Sequence, residues 1–77
     1  MDDDATPIAD IAYYPSGTVK SEGYRLHEVM HGEWVFYRLD GSVMRRGRLE
    51  GGRQVGSWRT FDRTGRLIKE TDFGAGR

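Results

Sequence analysis

The 77-residue sequence contains no cysteine. No disulfide can staple the fold, and no thiolate is available to hold zinc. No apolar run approaches the roughly 18 residues that a membrane helix needs. The chain opens Met1-Asp2-Asp3-Asp4, the opposite of the basic and then apolar start of a signal peptide. These absences lead us to expect a protein without a transmembrane segment, located in the cytoplasm. A helical period is missing too. No glycine-free stretch keeps apolar residues at helical spacing for two turns. A chain this short makes a single domain with a thin core, because it buries only about 60% of the surface it exposes when unfolded.

The formal net charge is zero, but the charge is unevenly placed. Residues 1–10 carry four aspartates and no basic residue. Residues 11–77 carry all 12 Lys and Arg against eight acids, an excess of +4, and ten of the 12 are Arg. Acidic and poor in apolar residues, 1–10 reads as a disordered tail, with 75–77 a disordered C-terminus. The folded domain is expected over 11–74. The tail either stays solvated or folds back over the arginines in competition with a partner.

Within that domain the sequence repeats with a period of 24. Gly17, Gly41 and Gly65 keep the spacing, as do Gly32 and Gly56, Gly23 and Gly47, and Trp34 and Trp58. Tyr13, Tyr37 and Phe61 share one register. Val19, Val43 and Leu67 share another, and Leu49 matches Phe73. Each of Gly17, Gly41 and Gly65 closes a turn-forming segment, of which Asp40-Gly41 is the strongest hairpin signal. Short runs rich in aromatic and β-branched residues flank the turns, as antiparallel strands do. The predicted fold is all-β: a single antiparallel meander of about six strands, built from 24-residue hairpin repeats.

Alternation along the strands places Trp34 and Phe36 on one face of the sheet and Tyr37 on the other. It also groups Val19, Val43 and Leu67 with Leu49 and Phe73. Apolar residues therefore fall on both faces. A bulge, strong twist or a homodimer would each account for this.

Gly32-Glu33-Trp34-Val35-Phe36-Tyr37, followed by Gly41 and an apolar strand, resembles the variant MORN repeat. Gly56-Ser57-Trp58-Arg59-Thr60-Phe61 with Gly65 is a second copy, and Tyr13 to Gly17 is the latter half of another. The resemblance covers about residues 11–74 and implies an elongated, curved antiparallel sheet. It also implies the roles described for such repeats: antitoxins of the YwqK-like type or other toxin partners, and, in other members, phospholipid binding or scaffolding. The chain departs from the pattern in having only about two and a half repeats. It also has a loop, Leu26 to His31, without the glycines that occur at Gly51-Gly52.

His27-Glu28-Val29-Met30-His31 matches the His-Glu-x-x-His pattern of zinc peptidases. That chemistry requires a helix, so that both histidines meet one metal. Gly32 and the repeat strand at Trp34 oppose a helix, so an exposed loop with no metal is expected. The glycines at 47, 51, 52 and 56 lack the Lys-Ser/Thr of a phosphate loop, and the repeat explains them. No nucleophile elbow or paired carboxylates stand out. No cofactor and no enzymatic activity are expected.

Arg45-Arg46-Gly47-Arg48 carries the clearest binding signal. Arg46 and Arg48 share a strand face and Arg45 takes the other. Guanidinium forks suit carboxylates and phosphates. The expected function is a protein-binding module that docks a sheet face on a partner. In its most concrete form it is a small inhibitor, antitoxin or immunity-like or a phage-encoded antagonist of a host defence complex. The partner is then a toxin or a defence-complex component. The expected contact residues are Trp34, Phe36, Arg46, Arg48, Trp58 and Arg59, with Arg-carboxylate pairs around aromatic anchors and the tryptophans alternatively in the core. Two other readings remain: a peripheral binder of anionic lipid or nucleic acid through an Arg-rich face, and a structural repeat that self-assembles through open edges.

Overall fold

The computed structural model of the chain describes residues 6–74. The strands are β1 (Ile8–Tyr13), β2 (Val19–Leu26), β3 (Val29–Tyr37), β4 (Val43–Glu50), β5 (Arg53–Phe61) and β6 (Leu67–Asp72). They form one antiparallel sheet in the order β1-β2-β3-β4-β5-β6. This is the expected six-stranded meander. It is one layer thick, with extents of 45 × 31 × 12 Å.

Strand β1 starts at Ile8, inside the segment expected to be disordered. Asp10 finds a partner there, since Arg25 donates to its carboxylate, and the backbone from Ile8 onward pairs with β2. The rest of the expected tail, residues 1–5, and the expected C-terminal tail at 75–77 lie outside the described residues.

Two kinds of turn alternate. At one end of the sheet the Gly41 N–H donates to the Arg38 carbonyl at 2.9 Å, and Gly17 and Gly65 repeat the bond to Tyr14 at 2.9 Å and Asp62 at 3.0 Å. The Asp40 carboxylate accepts from the Ser42 hydroxyl and N–H, and Asp62 likewise from Thr64 and Arg66. These bonds hold both carboxyls below the ordinary aspartate value of 3.8. Neighbouring copies are also tied side by side. Tyr14 OH donates to the Tyr37 carbonyl at 2.7 Å, and Arg38 Nη2 to the Phe61 carbonyl at 2.6 Å. Residues 24 apart thus do one job with different chemistry.

The turns at the other end contain two residues, both with positive φ. Gly51 and Gly52 adopt +59° and +81°, and His27 and Glu28 adopt +54° and +68°. Such turns suit hairpins because their twist matches that of the strands. The expected loop from Leu26 to His31 is therefore corrected to a two-residue turn, and Val29, Met30 and His31 belong to β3. Pairing of Leu26 with Val29 closes the hairpin directly. The His-Glu-x-x-His segment runs from a turn into a strand, so the single helical face that zinc chemistry needs is not formed.

Bulges recur with the repeat. The register shifts between Ala12 and Tyr13, Phe36 and Tyr37, and Thr60 and Phe61. On the partner strand the shift skips one residue, Met44 in the case of β4. Parity is thereby reversed along β4, which corrects the expected grouping. Leu49 packs with Trp34 and Trp58, whereas Val43 pairs with Tyr37 on the opposite face.

The clustered part of the core lies on one face, while Val55, 5% exposed, is buried on the other. Trp34 is 1% exposed and Leu49 and Trp58 are each 5% exposed, although no second layer of the described residues covers them. Each indole lies flat on a glycine of the preceding strand. A Cβ on Gly23 would sit 2.2 Å from the Trp34 ring, and one on Gly47 would sit 2.2 Å from Trp58. The indole N–H groups donate to the Tyr24 and Arg48 carbonyls at 2.9 and 3.0 Å. Burying a large ring while satisfying its one polar group makes each pair a self-contained core unit.

Two stability measurements follow. Gly47→Ala forces Cβ into the indole and is expected to lower unfolding free energy by about 3 kcal/mol, with a red shift of tryptophan emission; an unchanged urea midpoint would refute the close approach. Glu28→Gly relieves a left-handed conformation and is expected to raise stability by about 1 kcal/mol, while Gly52→Glu lowers it by a similar amount. Equal midpoints for both variants and the parent chain would show that the positive-φ turn stores no strain.

Candidate functional site

Residues paired across adjacent strands project to the same face, so the registers sort the side chains. On the first face, Ala12, Ser21, Phe36, Arg45, Thr60 and Lys69 form one continuous cross-sheet row. The Trp-glycine pairs lie beside it. Phe36 lies between the two indoles, stacked on Trp34 and tilted against Trp58, with centroids 6.1 Å from each. The Arg45 guanidinium lies 5.4 Å from the Phe36 ring and 5.3 Å from Trp58, and Arg25 lies 5.9 Å from Trp34. Arginine stems and planes thus roof the aromatics. This is the tryptophan face.

On the opposite face the corresponding row is Ile11, Glu22, Val35, Arg46, Arg59 and Glu70. Toward the Gly41 end, Tyr13, Val19, Tyr37, Val43, Phe61 and Leu67 make an apolar stripe across all six strands. Toward the other end, Glu33 pairs with Arg48, and Arg48 with Val55. Arg46, Arg48 and Arg59 surround a shallow depression whose walls include Glu33 and Ser57 and whose buried members are Gly47 and Val55. This is the arginine face.

The six expected contact residues therefore do not form one patch. Trp34, Phe36 and Trp58 lie on the tryptophan face, and the two indoles are core, with no surface to offer a partner. Arg46, Arg48 and Arg59 lie on the arginine face and all three are exposed. The physical reason is register: Trp34 pairs with Gly47 and Phe36 with Arg45, so Arg46 and Arg48 point the other way. The arginines beside the aromatics are Arg25 and Arg45, neither of them among the expected contacts. Parity does place Arg45 opposite Arg46, but only the β3–β4 register shows which of the two meets Phe36.

Among the described residues, Arg46 and Arg48 have no ion-pair partner within 4 Å, while Arg59 meets Glu70 at 3.3 Å. Arg63 is engaged by Asp40 at 3.2 Å, away from the depression. No three His, Asp or Glu of the described residues come together as metal ligands. With Arg59 engaged by Glu70, the guanidiniums of Arg46 and Arg48 against the single carboxylate of Glu33 make the depression a place for anionic groups.

Glu22 reaches from the same row to accept the Tyr37 hydroxyl proton. This bond, with burial and the Glu22 charge, raises the Tyr37 pKa above 10.0, and Arg46 opposes it. Because the folded value is raised, the contribution to stability is complete below pH 10.0 and is lost as pH rises through the folded value. Glu22→Gln is expected to move Tyr37 titration back toward 10.0 in an ultraviolet phenolate titration. An identical curve for both proteins would exclude the contact.

Comparison with protein-family models, with curated proteins and with solved structures gave no match.

Proposed function

We propose that this chain is a non-enzymatic protein-binding module whose arginine face docks on an acidic surface of a protein partner. The observation that carries this is the cluster of Arg46, Arg48 and Arg59, all exposed around one depression. Exposed Ile11, Tyr13 and Tyr24 share the face and add apolar area to it. Tyrosine and arginine are the residues that concentrate binding energy at interfaces. The biological form favoured is a small inhibitor that occludes its partner, an antitoxin or immunity-like protein or a phage-encoded antagonist of a host defence complex. That part is supported by the resemblance of the Gly-x-Trp-x-x-Tyr repeat to antitoxin-type repeats, and the partner is then a toxin or defence-complex component. A cytoplasmic location agrees with this role.

The test is affinity capture of the tagged chain from its own host. One stoichiometric protein is expected, lost with Arg46→Glu/Arg48→Glu and retained with Arg63→Glu, which lies outside the depression. Recovery of only lipid or nucleic acid, with binding that collapses steeply in salt, would instead assign the guanidiniums to phosphate.

A further inference from the structure

The arginine face is patterned to fit a copy of itself. Consider a two-fold axis parallel to the strands, lying over the sheet midway between β3 and β4. It keeps each residue's height along the strands and reverses strand order, so β3 faces β4 of the copy, β2 faces β5 and β1 faces β6. The central row, Ile11-Glu22-Val35-Arg46-Arg59-Glu70, then meets itself reversed. Glu22 comes opposite Arg59 of the copy and Val35 opposite Arg46, while at the sheet edges Ile11 comes opposite Glu70, which its own Arg59 holds. In the neighbouring row Glu33 comes opposite Arg48, filling the depression with carboxylate. The apolar stripe meets its own reversal: Tyr13 against Leu67, Val19 against Phe61, and Tyr37 against Val43.

We infer that in the absence of another partner the arginine face is closed by a second copy of this chain, in a two-fold, face-to-face sheet sandwich. Three observations converge on that occupant. Two acidic positions of the face, Glu22 and Glu33, lie on β2 and β3 and come opposite Arg59 and Arg48 of β5 and β4, while Glu50 and Glu70 stay beside Arg53 and Arg59 of their own chain. Tyr13 and Leu67, at opposite ends of the stripe, are 59% and 48% exposed in the single chain and cover each other in the pair. The 45 × 31 Å sheet offers more than the roughly 800 Å² per partner of a standard interface. Aligned packing of two twisted sheets about 10 Å apart accommodates side chains of this size. On the tryptophan face the central rings of Trp34, Phe36 and Trp58 are already covered, and the exposed Ile8 and Phe73 sit apart at its two edges. The inference rests on reading the arginine face as a docking surface, and it makes self-association and partner binding mutually exclusive.

The experiment is sedimentation equilibrium of the full chain over a wide concentration range, with charge reversals. The parent is expected to approach twice the chain mass. Glu22→Arg and Arg59→Glu are each expected to weaken the dimer by about tenfold or more, and the double variant is expected to restore it. Glu22 and Arg59 stand three strands apart in one chain, roughly 14 Å, so rescue reports contact between chains. Tryptophan emission, which reads the opposite face, checks that each variant is folded. A monomer at every concentration, a dimer indifferent to the single reversals, or a folded double variant without recovery would each overturn the inference. Captured heterologous protein with a strictly monomeric parent would sink the dimer and leave the docking face standing; a dimer that captures nothing would do the reverse.

Discussion

An indole laid flat on a glycine is the interaction on which this sheet depends. A single β-layer has no second layer to bury against, and sheets normally need one. Here Trp34 on Gly23 and Trp58 on Gly47 supply burial within the layer itself. The missing Cβ lets the ring reach the backbone, the strand carbonyl takes the indole N–H, and Phe36 joins the two units into one stack. Arg25 and Arg45 cover what remains. The units stop where the residues change. Asp10 occupies the position of the tryptophans in β1 and pairs with Arg25, and Thr71 occupies the position of the glycines in β6.

From this follows the division of labour between the faces. The tryptophan face is filled by its own side chains, so its aromatics are committed to stability. Alternation turns Tyr37 and Phe61 away from that core, and the recurrent bulges bring Val43 and Leu67 to the same side. They thereby place an apolar stripe next to a charged row on the face that has no internal cover. Binding capacity accordingly resides opposite the tryptophans, with Arg46, Arg48 and Arg59.

The repeat is imperfect at an informative place. Gly51-Gly52 satisfy a turn that requires positive φ at both positions, while the equivalent His27-Glu28 meet the same geometry at a conformational cost. Strand pairing on both sides holds them there. A His-Glu-x-x-His string that suggests metal chemistry is, in space, one arm of a hairpin.

The sequence by itself determined the number of strands, their order and the glycine-closed turns, because a 24-residue period with fixed glycines admits one hairpin plan. It also showed that Arg46 and Arg48 share a face, since alternation along a strand is local. Only the tertiary structure decided the cross-strand registers and the bulges. These depend on which residues meet between strands, and a one-residue shift moves a whole side-chain set to the other face. That is why Trp34 and Arg46 looked like parts of one surface in the sequence. It is also why Ile8 to Asp10, the end of an acidic segment with little to bury on its own, become a strand once Arg25 and β2 lie alongside.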